Sequence, residues 1–229
     1  MKSVLIIGMG VLGQHLARKM TEFGNEVMIV DEREELIQEL STEFPNAIVG
    51  DCTREGVLRS LGVGNFDYCF VTVGEDFYAA LEVTAILKEL GAKCVISKAK
   101  RNRQAEFLKK IGADEVFYPE EEMAESLAVR FTANNIFDYI ELTEEYSVFE
   151  MPILDEWIDK TLEQINVRKL YNINVIAIKN NGKLNPAPEA KYVFQEEDHI
   201  VVIGKAEDVF KISNKASKSS RTKNKAFMK

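Results

Sequence analysis

The chain has 229 residues and a formal net charge of −8, and 46% of its residues are hydrophobic and 29% charged. This length and composition are typical of a globular protein with one large domain or two small ones. No apolar run approaches the ~18 residues that a membrane-spanning helix needs, and the first residues lead directly into a strand pattern, which leaves no room for a signal peptide. We therefore expect a cytosolic protein without direct membrane insertion.

Basic residues are concentrated near the end of the chain. Residues 213–229 contain six basic residues and no acid, so residues 1–212 carry a larger negative net charge than the whole chain. An acidic main part of the chain argues against nucleic acid as a partner. The same segment is rich in Ser, Lys and Asn and cannot bury a core, which predicts a basic disordered tail. Cys52, Cys69 and Cys94 lack the spacing of metal or redox sites, so we expect reduced thiols.

The first predicted element is a buried strand over residues 4–7, followed by the turn Gly8-Met-Gly-Val-Leu-Gly13 and a helix over residues 14–23. Gly8 permits the tight turn, Gly10 allows the backbone to approach a phosphate, and Gly13 lets the helix pack on the strand. The start of the helix offers unpaired N–H groups and the positive end of its dipole to an anion.

This glycine pattern alone is weak evidence, and its context decides between a nucleotide site and a plain turn next to a surface acid. The second predicted strand ends in Asp31, 23 residues after Gly8, close to the spacing expected of a carboxylate that binds ribose hydroxyls. We therefore predict an adenine nucleotide site, and the charge of Asp31 disfavours the 2′-phosphate of NADP.

Strand and helix patterns alternate six times between residues 4 and 118. This alternation predicts an α/β fold with a doubly wound, parallel, six-stranded Rossmann-like sheet over residues 1–118. Ligands of such sheets bind beyond the carboxyl ends of the strands. Five residues fall at these ends and should converge on one crevice: Gly8, Asp31, Asp51, Gly74 and Lys98.

The pattern changes after Pro119. A helix is predicted from Glu120 to about Asn135, within a crossover or linker segment over residues 119–139. Residues 140–212 are predicted to form a second, smaller α+β domain, because short strands and helices follow one another around an Asn-Gly hairpin signal. Its predicted elements are a strand over 147–151, a helix over 157–165, a strand over 175–178, a strand over 200–203 and a helix over 206–212.

A glycine loop with a ribose-binding acid is also typical of dehydrogenases, so an NAD-dependent oxidoreductase is the alternative. That activity requires an acid or base near a hydride acceptor. The two histidines are poorly placed for this role: His15 lies one turn into the first helix, and His199 introduces the last strand, where we expect an exposed edge residue. A nucleotide site without visible chemistry favours a sensor, in which the ligand shifts the balance between two conformations.

The chain resembles the RCK family (regulators of potassium conductance), specifically the KtrA/TrkA-like cytosolic subunits of bacterial potassium uptake systems. The likeness covers residues 1 to about 212. In the first domain it rests on the glycine loop, Asp31, Gly50-Asp51-Cys52-Thr53, Ser97-Lys98-Ala99, Ile111-Gly-Ala-Asp114 and Tyr118-Pro119-Glu120. In the second domain it rests on Lys160-Thr161-Leu162, Asn166-Val167-Arg168 and Asn174-Val-Ile-Ala-Ile178.

The resemblance implies a non-enzymatic, nucleotide-sensing regulatory subunit. Homodimers would assemble into an octameric ring beneath a membrane potassium translocator, at the inner face of the plasma membrane. ATP would favour the activated ring and ADP the inactive one, and some relatives bind NAD(H). A receptor for a nucleotide or for cyclic di-AMP that regulates another transporter is a further alternative.

The resemblance also assigns roles to residues of the first domain. It implies that the glycine loop, with Val11 and Leu12, holds phosphates, and that Asp31, with Glu32 next to it, holds the ribose. The remaining residues would lie beside the adenine or near the phosphates: Asp51, Cys52, Thr53, Gly74 and Lys98.

Two further sites follow from the resemblance alone. Glu120 matches an acid that helps a divalent cation bridge nucleotides across the dimer. The smaller domain resembles those that bind cyclic di-AMP between two copies, and the matching residues are Arg168, Asn174 and Pro188.

One position departs from the family pattern. KtrA-like proteins usually carry Arg after the second glycine of the loop, where it reaches the terminal phosphate of ATP, and this chain has Val11. Charge-assisted hydrogen bonds to phosphate are among the stronger ones. We therefore expect weaker discrimination of ATP from ADP, or NAD(H) or AMP as the resident ligand.

Overall fold

The computed structural model describes residues 1–132 and 136–213. The chain divides into two compact units, the first over Met1–Glu121 and the second from Glu122 onward. Within the described ranges, no helix is both long and apolar enough to cross a bilayer. The predicted basic tail lies outside the described residues from residue 214 onward.

The sheet of the first unit has the architecture that the alternation predicted. Its strands are β1 (Ser3–Ile7), β2 (Glu26–Asp31), β3 (Ala47–Val49), β4 (Tyr68–Val71), β5 (Val95–Lys98) and β6 (Glu115–Phe117). The helices between them are α1 (Val11–Glu22), α2 (Glu34–Leu40), α3 (Glu55–Leu61), α4 (Phe77–Glu89) and α5 (Asn102–Ile111). These strands of the first unit run parallel to one another in the order β3-β2-β1-β4-β5-β6. This order confirms the doubly wound Rossmann-like class.

Strand β1 is apolar on both sides because helices cover both faces of the sheet. Val4 and Ile6 belong to a buried cluster with residues of α1 and α2. Leu5 and Ile7 belong to a second cluster, with residues of α3 and α4. Burial of each such side chain is worth about 1.5–3 kcal/mol, so the end of β1 and the glycine loop after it are held on a rigid base.

The second unit is built around an antiparallel sheet, as expected of the smaller α+β domain. Its strands are β7 (Asp138–Glu141), β8 (Ser147–Pro152), β9 (Asn174–Asn180), β10 (Lys183–Asn185) and β11 (His199–Gly204). Their order is β10-β9-β11-β8-β7. Two short helices, α7 (Leu162–Ile165) and α8 (Val167–Tyr171), and a helical stretch over 206–213 accompany it. Phe149, Met151, Trp157, Phe194 and Ile200 are buried at its core.

The predicted linker segment is a helix followed by a strand. Helix α6 (Pro119–Thr132) is described up to residue 132, and the division between the two units falls within it, after Glu121. Strand β7 begins at Asp138, inside the segment that the sequence analysis left as linker. Its four residues carry no clear strand pattern, and they become a strand because Tyr139 and Ile140 pair with β8.

The predicted helix over residues 157–165 is wrong in its first half. A 3-10 turn ends at Trp157, and α7 begins only at Leu162. Between them Asp159 adopts φ 62° and donates its N–H to the carbonyl of Phe194. Thr161 then opens α7 with a capping box. Long-range pairing with the 193–194 segment therefore overrides the local helical spacing.

The Asn-Gly hairpin signal is confirmed. Asn181 and Gly182 connect β9 to the antiparallel β10, with φ angles of 46° and 78°. Positive φ at both central residues matches the twist of a two-residue hairpin turn.

Candidate functional site

The glycine loop joins β1 to α1 at the carboxyl end of the sheet. Gly8 has φ +98°, and its N–H donates to the carbonyl of Val30 at 2.9 Å. Gly10 occupies the N-cap position of α1, where no described side chain caps the helix, and a Cβ added at Gly10 would meet no described atom within 4 Å. The start of α1 thus has no cap from the described side chains and has open space beside Gly10, which suits an anion such as a phosphate.

Gly13 is the tightest position of the loop. A Cβ at this residue would lie 2.0 Å from the carbonyl oxygen of Gly8 and 2.9 Å from Oγ1 of Thr72. Thr72 is buried, and its hydroxyl donates to the Gly8 carbonyl at 2.6 Å. Thr72 fixes the shape of the loop from the neighbouring strand end, and sequence analysis missed it because no motif signals this contact.

Asp31 is buried at the end of β2. Its Oδ2 accepts the N–H of Met9 at 2.6 Å, which ties the acid directly to the glycine loop. Its Oδ1 accepts the N–H of Arg33 at 3.0 Å. Burial opposes ionisation, but the hydrogen bonds from Arg33 and Met9 outweigh it and hold the pKa of Asp31 below its usual range. The carboxylate is thus charged and fixed in position.

Arg33 is a site residue that the sequence analysis did not name. Its Nε lies 2.7 Å from Oδ1 of Asp31, and its Nη2 lies 2.9 Å from Oδ2. The guanidinium offsets the charge of the carboxylate, so the predicted repulsion of a 2′-phosphate by Asp31 is reduced while this pair is formed. The signal available in the sequence was the presence of a cation two residues after the acid.

The predicted adenine-side residues follow β3. Asp51 accepts the N–H of Thr53 at 3.0 Å and its hydroxyl at 2.6 Å, and these bonds hold the pKa of Asp51 below its usual range. Cys52, in contrast, points into the core, and burial raises the pKa of its thiol to about 12, with Asp51 and Asp31 adding to the effect. Asp51 and Thr53 are therefore the members of this group whose side chains remain partly accessible.

Gly74 and Lys98 lie together at the ends of β4 and β5. A Cβ on Gly74 would be 3.2 Å from Nζ of Lys98. The same ammonium donates to Oε1 of Glu120 at 2.5 Å, and this bond holds the pKa of Glu120 below its usual range. The structure therefore brings Lys98 and the predicted metal-binding acid into one ion pair.

The described residues contain no complete ligand set for the predicted divalent cation. Within residues 1–132 and 136–213, no group of three or more His, Cys, Asp and Glu side chains is arranged to hold a metal ion. Glu120 is exposed and contributes one carboxylate, already paired with Lys98. A metal at this position would need oxygen ligands in addition to those of the described residues.

The remaining predicted residues of the first unit differ in exposure. Val11 is 77% exposed at the first position of α1, Leu12 is half-buried, and Glu32 is exposed next to Asp31. An exposed apolar side chain at position 11 offers no charged contact to a phosphate, so attraction for an anion at this crevice would come from the start of α1 and from the cations Lys98 and Arg33.

The three residues predicted in the second unit line one pocket of about 460 Å³. Arg168 of α8 donates its Nε–H to Oδ1 of Asn174, the first residue of β9, at 2.6 Å. Pro188 belongs to the 188–190 segment, which contributes to the same lining. The other lining residues are Leu162, Glu163, Asn166, Val167, Ile173, Val175 and Ala190. Apolar walls with a few polar groups are the usual composition of a small-molecule site.

The expectation that His199 is an exposed edge residue is wrong. Strand β11 is the central strand of its sheet, and the His199 ring stacks on Phe137 with centroids 4.5 Å apart. Its Nδ1 lies 3.1 Å from Oε1 of Glu150. His15, in contrast, is exposed on α1.

The fold and the loop geometry define the class of protein: its first unit has the Rossmann-like architecture of nucleotide-binding domains, and an α+β unit follows it. The TrkA-N domain model matches residues 4–119, and the TrkA-C domain model matches residues 148–216. The chain therefore belongs to the TrkA-N/TrkA-C family, and the resemblance found in the sequence is confirmed.

Two relatives match over nearly their whole length. The Ktr system potassium uptake protein C of Bacillus subtilis (strain 168) is 37% identical over 208 residues, which cover 91% of this chain and 94% of that protein. The Ktr system potassium uptake protein A of the same organism is 33% identical over 215 residues, covering 93% and 96%. Each is therefore comparable with this chain along both units.

Among solved structures, the GsuK channel bound to NAD matches with a TM-score of 0.65 at 17% identity. The match covers 90% of this chain and 38% of that chain, so this chain spans well under half of the channel's length. At this identity the likeness supports the fold.

Proposed function

We propose that the protein is a nucleotide-sensing regulatory subunit that controls potassium uptake through a membrane translocator. The observation that carries this proposal is the juxtaposition of an open helix start at Gly10 with the fixed carboxylate of Asp31, in a chain closely related to Ktr potassium uptake proteins. We propose a regulatory rather than an enzymatic role, because the two relatives described above are potassium uptake proteins of the Ktr system.

Different residues of the crevice bind different parts of the nucleotide. The first-turn N–H groups of α1 receive the phosphates, helped by the positive end of the helix dipole. Asp31 accepts hydrogen bonds from ribose hydroxyls, and Asp51 and Thr53 border the adenine. Lys98 supplies a positive charge at the phosphate end, where it is largely buried and paired with Glu120.

The nucleotide is an adenine nucleotide, either ATP/ADP or NAD(H). Val11 gives the loop no cation for a terminal phosphate, so ATP and ADP should differ less in affinity than they would with Arg at this position. The NAD-bound structure of GsuK, a channel of the same fold, supports NAD(H) as the second candidate. Glu120 would contribute one carboxylate to a divalent cation, with the nucleotide or a second copy supplying the others.

Regulation requires that the ligand favour one of two arrangements of an assembly. We propose that the chain forms homodimers that build an octameric ring, and that the ring docks on the translocator at the inner face of the plasma membrane. The ligand then acts by binding one arrangement of the ring more tightly than the other. Nucleic acid is not among the proposed partners.

The second pocket is proposed as a site for cyclic di-AMP. Its volume of about 460 Å³, its apolar walls and the cationic Arg168 suit part of a ligand with two purines and two phosphates. The polar Arg168–Asn174 pair gives one wall a fixed donor for an anionic group. A site shared by two copies would couple this ligand to assembly.

The test is direct calorimetry of the purified protein with ATP, ADP and NADH. We expect wild-type binding, and we expect Asp31→Ala to weaken it by roughly 1–3 kcal/mol through lost hydrogen bonds to a charged group. Asp67→Ala is the matched control, because Asp67 precedes β4 at the amino end of the parallel strands, away from the site, where it accepts the N–H of Ser3. Failure of all three nucleotides to bind would refute the nucleotide-sensing function.

The regulatory part of the proposal has its own measurement. Light scattering coupled to size exclusion should give a mass of several copies that changes with the nucleotide present. Co-expression with a potassium translocator should allow the two to be purified together. A protein that stays monomeric with every nucleotide and does not purify with a translocator would contradict this part, even if calorimetry shows that a nucleotide binds.

A further inference from the structure

The carboxylate of Asp31 is fully occupied by donors of its own chain. Among the described residues, four N–H groups point to it: the backbone groups of Met9 and Arg33, and Nε and Nη2 of the Arg33 side chain. Each oxygen accepts one backbone bond and one guanidinium bond, with distances between 2.6 and 3.0 Å. A carboxylate has about four acceptor positions, so ribose hydroxyls find none of them free.

The two kinds of donor differ in how easily they can leave. The backbone N–H groups of Met9 and Arg33 belong to the glycine loop and to the turn after β2, and both are part of the fold. The Arg33 side chain is 57% exposed, whereas that of Asp31 is 6% exposed. Because the guanidinium is exposed, it can turn into solvent and form hydrogen bonds there, while the two backbone donors keep the carboxylate hydrogen-bonded and in place.

We propose that the Arg33 guanidinium occupies the ribose-binding side of Asp31 and turns away when an adenosine ribose binds, so that Arg33 is a specificity-determining residue. The two N–H groups of the guanidinium stand where the two hydroxyls of a ribose would donate. The inference rests on the proposed nucleotide site and adds a competition within it. Every ribonucleotide that uses Asp31 must first break this pair, whereas a ligand without a ribose diol gains nothing by breaking it.

The competition predicts which ligands respond to a change at Arg33. Removing a positive charge from the crevice weakens the binding of all nucleotide anions to a similar degree, whether or not they carry a diol. Freeing Asp31 benefits only ligands that can donate to it. The informative quantity is therefore the ratio of the dissociation constant of 2′,3′-dideoxyadenosine triphosphate to that of ATP.

The experiment measures this ratio by calorimetry for the wild type, Arg33→Met and Arg33→Lys. We expect Arg33→Met to raise the ratio by about 2- to 5-fold, the range of an exposed ion pair. Arg33→Lys keeps the charge but loses the planar two-point contact, so it should give an intermediate ratio. Arg18→Met removes an equal charge from the Glu43 pair on the same unit and should leave the ratio unchanged.

The outcomes separate this inference from the proposed function. If the wild type binds ATP and Arg33→Met leaves the ratio unchanged, Arg33 has no effect on ribose binding. If Arg33→Met lowers the ratio, Arg33 assists ribose binding. Either result refutes the competition but leaves the proposed nucleotide site intact. If the wild type binds no adenine nucleotide, both the site and the competition are overturned. Circular dichroism of each variant confirms that the compared proteins are folded.

Discussion

The candidate sites of the two units differ in whether backbone groups or side chains form them. The crevice of the first unit is made mainly of backbone: a glycine loop, a helix start and a buried acid held by two main-chain N–H groups. The pocket of the second unit is lined by side chains from α7, α8, β9 and the 188–190 segment. A site made of backbone tolerates few residue types at its glycines and therefore leaves a motif, whereas side-chain walls can be built from many sequences.

The units also differ in how they hold a buried carboxyl group. Asp31 is stabilised at the rim of a ligand crevice and shares its hydrogen bonds with an exposed arginine. Asp198 of the second unit is fully buried and accepts from Tyr192, Asn180 and Gln195. The first arrangement can exchange a partner for a ligand, and the second can serve only the fold. The following changes test this contrast.

The largest effect is expected for Gly13→Ala. Its Cβ would meet the Gly8 carbonyl at 2.0 Å, and both groups are backbone-bound, so the loop or α1 must shift. We expect a loss of about 3 kcal/mol or more in the stability of the first unit. Hydrogen exchange followed by peptide should show lower protection in β1 and α1 and unchanged protection in β8 and β11.

Gly10→Ala is the matched control in the same loop. No described atom lies within 4 Å of the added Cβ, and Gly10 has φ −65°, which any residue adopts. The fold should survive with a loss of about 0.5–1 kcal/mol, because alanine is a poorer N-cap residue than glycine. Equal destabilisation by the two alanines would contradict the packing role assigned to Gly13.

Asp198→Ala is expected to have the next largest effect, in the other unit. Burial and the bond to Asp198 raise the pKa of Tyr192 to about 12. Without the acid, the half-buried Tyr192 hydroxyl and the Gln195 N–H lose their acceptor, and the Asn180 amide keeps only the 3.5 Å contact with Oε1 of Gln195. Donors without partners in a buried setting cost roughly 1–3 kcal/mol each, so we expect a loss of about 3 kcal/mol by denaturant titration. Glu197→Ala, at the exposed neighbour, should stay near wild type, and a similar loss there would point to a general effect of the turn.

Arg168→Ala tests the second pocket. It removes the cation and the bond to Asn174 without disturbing the buried core. We expect cyclic di-AMP to bind more weakly by about 1–2 kcal/mol in calorimetry, with ATP affinity unchanged. Lys169→Ala, the exposed neighbour on α8, controls for charge. Loss of ATP binding in Arg168→Ala would instead indicate that the two sites depend on each other.

The smallest effect concerns pH. The hydrogen bonds of Asp31 lower its pKa in the folded state, so the folded protein binds this proton less readily than the unfolded chain. That contribution to stability is present above the ordinary carboxyl range, near pH 4, and is lost as the pH falls through the folded-state pKa. Asp31→Asn should therefore lose less stability than wild type when denaturant midpoints at pH 7 and pH 3.5 are compared. Parallel pH dependence of the two proteins would contradict this contribution.

The sequence by itself determined the order and type of the elements in the first unit. The apolar strand over residues 4–7, the glycine spacing and Asp31 predicted the loop, the helix start and the acid, because each depends on local backbone chemistry. It also predicted the turn at Asn181 and Gly182, since positive φ at both positions is a local requirement.

Tertiary structure decided what depends on residues far apart in the chain. Thr72 reaches the Gly8 carbonyl across 64 positions, and the 157–165 segment breaks at Asp159 because Phe194 offers it a carbonyl. Arg33 shows that side-chain contacts are hard to predict even between residues close in the chain. The sequence has a cation two residues after Asp31, but it does not determine the direction of the Arg33 side chain. Backbone conformation is largely a local property, whereas the partner of a side chain is chosen by packing, and packing exists only in the folded chain.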